Sequence, residues 1–316
     1  MINSNQLLIE SSLLVKMLLI LVSLLSLSLF VVVSSKSVTI IGANGKTGIR
    51  CVFLASKKGY SINAVTRTGL LNAIDDSSKP VIRGVTNVKG DITNKASLES
   101  IFKKVPDAVI FAASASKEGG KPDQIDKQGL IDVANLCIEK RVKRLVIVSS
   151  GAVSKPFSPV YLFLNLFGGI MKAKIDGENT VRKLYSKQND LSYTIIRPGG
   201  LTIEEPLGSK GLELNQLDQV LLLLSSSLLS SSLSSCKVSG RISRWDVASL
   251  CVESIDSKDC KNVTFECYNK ETKKPLSEVG LSNLFKKKDT KDNQFKTGYE
   301  RQGATFAALF KGLTPM

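Results

Sequence analysis

Residues 37–48 read SVTIIGANGKTG, an apolar run over Ser37–Ile41 followed by Gly42, Gly45 and Gly48. β-Branched side chains suit a pleated, buried surface, so Ser37–Ile41 predicts a strand and the glycines open a predicted helix over about 46–58. At such a junction Gly42 permits the tight turn, Gly45 lets the backbone approach a pyrophosphate, and Gly48 lets the helix pack on the sheet. The helix N-terminus, with its unpaired N–H groups, then faces the anion. GxxGxxG is weak in isolation; between a strand and a helix it marks a dinucleotide site, with Asn44, Lys46 and Thr47 completing the loop. Gly45-Lys46-Thr47 also ends like a P-loop, but that motif needs glycine where Ile40 stands.

Outward from this loop, strands are predicted at 61–65, 86–89, 107–112, 144–148 and 192–197, and helices at about 95–104, 124–140 and 172–187. Strands alternating with amphipathic stretches predict an α/β fold: a doubly wound parallel sheet of Rossmann type, a single domain with a small C-terminal substrate-side lobe. Right-handed crossovers give the order 3-2-1-4-5-6, with ligand at the carboxyl ends of the strands. After Gly200 the pattern changes, and residues 221–235 are seven leucines and eight serines. The chain therefore divides into 1–36, a signal sequence or signal-anchor; 37–270, the dinucleotide-binding domain with a Leu/Ser-rich insertion at 212–235; and 271–316, a Lys-rich tail. Within the second part a helix is expected at about 245–255 and a strand at 262–267, and near the end a short helix at 303–311.

Composition narrows the chemistry. The 316 residues include no histidine, which excludes Ser-His-Asp and Cys-His catalysis and any His-ligated zinc. Six cysteines contain no CxxC pair and predict buried thiols with no metal site. A net charge of +15 carries no aromatic-interleaved basic stripe, so nucleic acid is not expected as a partner. Met17–Val33 is uncharged, longer than most signal-peptide cores and at the lower limit of a bilayer span. Either it is cleaved before Lys36 or it tethers the chain to a membrane; a buried core helix is disfavoured because the first strand follows at once.

Cofactor type is read after the second strand, where a carboxylate would hold the ribose hydroxyls of NAD. Here stands Arg67, and a guanidinium can clamp a 2′-phosphate, so NADP(H) is expected. Gly90-Asp91-Ile92, after the third strand, is placed to meet the adenine; Asp91 as an ordinary cap for the next helix is the competing reading.

Taken together, Gly42–Gly48, Gly90-Asp91, Phe111-Ala112-Ala113-Ser114, Val148-Ser149-Ser150, Tyr193–Gly200 and Ser239–Ala248 resemble the atypical short-chain dehydrogenases with an NmrA-like, NAD(P)H-binding domain, above all members from plants and algae. The resemblance implies that Ala112, Ala113 and Ser114 pass under the cofactor, that Pro198 and Gly199 border it, and that Ser149 lies near the nicotinamide. It also places Lys174 at the nicotinamide ribose, in a KxxxE helix ending at Glu178, with Lys172 as the alternative match. Ser149 and Lys174 are then the candidate catalytic residues.

Ordinary superfamily members pair a tyrosine with a lysine four residues on, the tyrosine acting as acid. Ile170 and Gly168 stand four before Lys174 and Lys172, and none of Tyr60, Tyr161, Tyr185, Tyr193, Tyr268 or Tyr299 precedes a lysine at that spacing. Tyr161 could reach in from the loop after the fifth strand, though packing on Leu162 and Phe163 is the expected state. Three readings follow: an NADPH-dependent reductase of an unknown small molecule, a non-catalytic NADPH-sensing scaffold, and a membrane-associated assembly factor. The leader and the resemblance place the chain in the plastid of an alga, with the endoplasmic reticulum or a membrane anchor as alternatives. Oligomeric state is not readable.

Overall fold

The computed structural model describes residues 14–18, 20, 35–72, 83–116, 120–166, 168–216, 238–272, 274–275 and 300–316. The chain divides into two units, residues 1–35 and 36–316. Residues 14–18 and 20 of the first are helical, and residues 1–13, 19 and 21–34 of the expected leader lie outside the described residues. Among the described residues no helix is long and apolar enough to cross a membrane. The central run 221–235 of the Leu/Ser-rich insertion also lies outside them.

The second unit is built on an eight-stranded sheet. Its strands are β1 (Ser37–Ile41), β2 (Ser61–Thr66), β3 (Val85–Lys89), β4 (Ala108–Phe111), β5 (Arg144–Val148), β6 (Ser192–Pro198), β8 (Leu212–Asn215) and β11 (Val263–Asn269). The order is β3-β2-β1-β4-β5-β6-β11-β8, parallel throughout except for β8, which runs antiparallel to β11. This is the expected doubly wound arrangement, extended by two strands. Short pairs join β7 (Gly200–Thr202) to β10 (Arg241–Ser243), and β9 (Val238–Ser239) to β12 (Lys274–Pro275).

Both faces of the sheet are buried, and the period-2 alternation of side chains sorts each strand into two cores. Ala108, Ile110, Val146 and Ile196 join one cluster, with Val38 and Ile40. Val109, Phe111, Leu145, Ile147 and Ile195 join the other. The first face is covered by α1 (Gly48–Lys57) and α7 (Arg244–Ser254), the second by α2 (Lys95–Ile101), α3 (Leu130–Glu139) and α5 (Ile170–Tyr185). A π-helical turn, Asp123–Gly129, leads into α3. Short helices α4 (Pro159–Asn165), α6 (Gly208–Gly211) and α8 (Phe306–Phe310) complete the unit.

Three segments differ from the sequence reading. Leu212–Asn215, assigned to the insertion, forms buried edge strand β8 against β11. The end of the Lys-rich tail is part of the core: Leu214 and Arg301 exchange backbone hydrogen bonds of 3.0 and 2.9 Å, and Leu309, Phe310 and Leu313 pack in the first cluster. Helix α4 was not anticipated, although Ser158 caps it by accepting from the Tyr161 N–H and Pro159 opens it.

Leu214 is fully buried between sheet and C-terminus. Leu214→Ala should lower unfolding stability by about 2–5 kcal/mol in urea melts, the usual cost of emptying a core leucine site. A change near zero would show that β8 is dispensable, as an insertion would be.

Candidate functional site

The glycine loop leaves β1 at Gly42, whose φ of +81° favours glycine. A Cβ there would lie 2.7 Å from the Ala113 nitrogen, and one on Gly48 would lie 2.1 Å from the Gly42 carbonyl oxygen. Those two glycines are thus required by the protein's own packing. Gly45 differs: a Cβ would meet only the Gly42 oxygen at 3.1 Å and the Ala112 oxygen at 3.8 Å. Gly45 is exposed, as is Lys46, while Thr47 is buried just before α1. A bare, exposed backbone at the start of a helix is what a pyrophosphate needs to approach closely, so the residues present fit a dinucleotide.

The loop is tied to the end of β2. Asn44 Nδ2 donates to the Leu70 carbonyl and Asn44 Oδ1 accepts from the Asn72 N–H, both at 2.8 Å. Asn44 therefore holds the segment that follows Arg67. Arg67 is exposed, and its charge helps hold the Asp91 carboxyl below the ordinary carboxylate value, after the larger effect of hydrogen bonds from Thr93. Asp91 Oδ1 accepts from the Thr93 N–H at 2.9 Å and its hydroxyl at 2.7 Å. The cap of α2 is Asn94, which accepts from the Ser97 N–H, so Asp91 is not the helix cap. Ile92 is buried beside it.

After β4, Ala112 and Ala113 lie against the glycine loop. Ser114 donates to Asp126 Oδ1 at 2.7 Å, and the Ala115 N–H donates to Asp126 Oδ2 at 2.8 Å. Asp126 comes from the π-helical turn and is buried; Lys174 of α5 pairs with it at 2.7 Å. Two lysines competed in the sequence, and geometry separates them. The Lys174 side chain is 11% exposed, whereas that of Lys172 is 67% exposed and pairs with Asp176. Asp126 escaped sequence reading because its partners lie 12 and 48 residues away in the chain; its one signal was an acid at the start of the helix after β4.

Ser149, just after β5, donates its proton to Glu178 of α5. Glu178 is fully buried and also receives Arg197 Nη2 at 2.6 Å and Arg182 Nη2 at 2.8 Å. Burial alone would raise the Glu178 carboxyl; the Arg197 and Arg182 charges, with the Arg197 and Ser149 hydrogen bonds, outweigh it and leave it lowered. With Glu178 ionised, the Ser149 hydroxyl is committed as a donor and faces other groups only as an acceptor. Tyr161 is buried, in a cluster with Ala152, Val153 and Met171; the expected packing partner Leu162 is instead exposed. Pro198 closes β6, its carbonyl accepting from the Gly151 N–H at 2.7 Å, and a Cβ on Gly199 would lie 2.2 Å from the Gly240 oxygen.

A family model described as NAD(P)H-binding matches residues 42–258. An uncharacterized chloroplastic protein of Arabidopsis thaliana is 31% identical over 193 residues, covering 57% of this chain and 65% of that protein. The chain thus spans just under two thirds of that relative. Among solved structures, a Bacillus halodurans protein named for an NAD-dependent epimerase/dehydratase superposes with a TM-score of 0.54 at 25% identity, over 77% of this chain and 98% of that one. A Veillonella parvula short-chain dehydrogenase/reductase, solved in complex with NADP, gives 0.51 at 18% identity over 75% and 96%, a likeness of fold alone.

Glu178→Gln should cost about 3–5 kcal/mol in chemical unfolding, because it strands buried Arg197. The wild-type contribution has a defined pH window. A carboxyl lowered in the fold stabilises above its ordinary value of 4.5 and loses that effect as pH falls through the lower folded value. Stability of the variant measured from pH 6 down to acid should therefore fall less steeply than that of wild type; parallel curves would contradict the ionised network.

Proposed function

The chain belongs to the NAD(P)H-binding family of atypical short-chain dehydrogenases, and from that membership we propose that it is an NADPH-dependent reductase of a small molecule. The observation that carries the choice of NADPH is Arg67, exposed at the end of β2 where a carboxylate would serve NAD. Its guanidinium can donate two parallel hydrogen bonds to a 2′-phosphate. Gly45, Lys46 and Thr47 would hold the pyrophosphate on the turn that Gly42 and Gly48 shape, Asp91 and Ile92 the adenine side, and Ala112, Ala113, Ser114, Pro198 and Gly199 the rest of the dinucleotide. When bound, the cofactor supplies a hydride.

Lys174 is the proposed partner of the nicotinamide ribose. Asp126 fixes its ammonium beside Ser114, so it is already oriented and mostly shielded from water. Ser149 offers an acceptor oxygen to whatever lies beside it, because its hydroxyl hydrogen is directed at Glu178. Among the described residues no tyrosine acid completes this set, so the substrates best matched are quinones or enones, which take hydride without a protein proton donor and draw the proton from water.

A second reading has an observation of its own. Ser149 and Lys174 are each closed into an internal pair, which suits a protein that registers NADPH occupancy without turning substrate over. The chloroplastic relative supports a plastid location for either reading.

Arg67→Ala should raise the Kd for NADPH about tenfold or more while moving that for NADH little, in line with loss of one charge-assisted pair. Equal losses would remove the 2′-phosphate role. Lys174→Met should weaken NADPH binding and Lys172→Met should not, as read by fluorescence titration. For the reaction, NADPH oxidation is followed with a panel of quinones and enones. Turnover of any acceptor supports the reductase, and tight NADPH binding with no turnover across the panel transfers the case to the sensor.

A further inference from the structure

Parallel strands all start at one edge of their sheet, and the helices that lead into them end there. Backbone hydrogen bonds trace that amino edge from side to side. The Gly84 carbonyl accepts from the Ile62 N–H at 2.8 Å, Lys36 from Ser61 at 3.0 Å, Ser37 from Asp107 at 2.9 Å, Lys143 from Ser192 at 3.1 Å and Tyr193 from Asn262 at 2.8 Å. The starts of β2, β1, β4, β5, β6 and β11 therefore stand in one row, opposite the edge that carries the glycine loop. The chain also enters the unit in this row, through Lys36, and the uncharged stretch Met17–Val33 lies just upstream in the sequence.

The acids of this edge are largely taken. Asp256 pairs with Lys36 and Lys58, Glu253 with Lys58, Asp190 with Arg141 and Lys143, and Glu139 with Lys140. Left over are Lys57 at the end of α1, Lys103 and Lys104 ahead of β4, Lys187 ahead of β6, and Lys258 and Lys261 ahead of β11. All six are exposed, and among the described residues none is in an ion pair; Asp259 and Glu99 are the acids that remain near them. The partial negative charge of a helix end accounts for Lys57, in the last turn of α1, but not for Lys261, which lies outside every helix. Exposed apolar side chains share the row: Val105, 47% exposed, follows Lys104, and Met316, 41% exposed, donates its N–H to the Asn262 carbonyl at 2.8 Å. No exposed aromatic ring stands there among the described residues, as stacking of nucleic-acid bases would need.

We propose that the amino edge of the sheet is a docking face for an anionic membrane surface. Lys103 and Lys104 ahead of β4, with Lys258 and Lys261 ahead of β11, meet lipid phosphates, and Val105 and Met316 enter the headgroup boundary. In the order β4-β5-β6-β11 the outer two strands are about 15 Å apart, so both lysine pairs reach one patch of headgroups. The glycine loop, at the carboxyl edge, is then turned toward water. This face needs no cofactor and stands apart from the reductase reading.

The test is flotation of the full chain with vesicles of phosphatidylcholine, alone or mixed with phosphatidylglycerol. Wild type should favour the anionic vesicles about tenfold or more at low ionic strength, and added salt should shrink that preference. Lys103→Gln, Lys104→Gln, Lys258→Gln and Lys261→Gln together should cut the preference about tenfold or more. A matched variant carries Lys95→Gln, Lys121→Gln, Lys172→Gln and Lys210→Gln, exposed positions on the segments that follow β3, β4, β5 and β7. It loses the same charge and should keep the preference. Urea melts check that both fold, and the pairs at 103–104 and 258–261 made separately keep the test open if the combined variant does not. Equal binding of wild type to both vesicle types, or equal loss in the two combined variants, overturns the face. Tighter binding of a single-stranded RNA oligonucleotide through the same four lysines also overturns it, since the face would then belong to nucleic acid.

Discussion

Everything at the carboxyl edge of the sheet depends on how closely backbone approaches backbone at Gly42, Gly48 and Ala113. A methyl group on Gly48 would sit 2.1 Å from the Gly42 oxygen, and no rotamer can relieve that, since both partners are main chain. This contact sets the distance of α1 from β1 and the distance of the β4 loop from the glycine loop. Gly45, free of such a neighbour, faces outward. The same turn therefore does two things: two glycines hold the elements together, and the third leaves bare peptide for a ligand.

Beyond that turn, the site is organised by buried carboxylates that collect donors from elements distant in sequence. Asp126 joins the β4 loop to α5 through Ser114, the Ala115 amide and Lys174. Glu178 joins β5, α5 and β6 through Ser149, Arg182 and Arg197. Asp246 accepts from the Leu207 and Gly208 amides at 2.9 Å and so fixes the chain after β7 to α7; burial raises its pKa in spite of those two bonds. Each carboxylate would be expensive in isolation, and each is stabilised only when all its donors arrive, which couples the geometry of the site to completion of the fold.

How much of this was legible follows from range. The strand β1, the glycine loop and α1 are encoded within about twenty residues, by alternation, by glycine spacing and by the helix period, and they were readable. Arg67 was readable because the end of β2 is a fixed station in such a sheet. Lys172 and Lys174, two apart on a helix, point about 200° apart, and sequence alone gives no zero for that angle. Only the packing of α5 on the sheet decides that Lys174 turns inward. Leu212–Asn215 was lost for a different reason: four residues of strand adjoin a Leu/Ser tract whose composition masks the alternation, and the partners, β11 and Arg301, lie 50 to 90 residues later. Helix α4, in contrast, carried its own signal in Ser158-Pro159 and was missed by reading the segment as loop.

Ile170, not a tyrosine, stands four residues before Lys174, and that spacing acquires a physical meaning against this background. In a site where tyrosine delivers the proton, a neighbouring lysine must lower its pKa, and the lysine has to be free to do so. Here Lys174 is paired with Asp126, and the serine that would share the task donates its hydrogen bond to Glu178. Both groups are engaged in internal pairs. What remains available is orientation and charge: the Lys174 nitrogen held by Asp126, and an acceptor oxygen on Ser149. On the proposed reading, the residues of the site would orient the ligand, and the reactivity would belong to the cofactor and the substrate themselves.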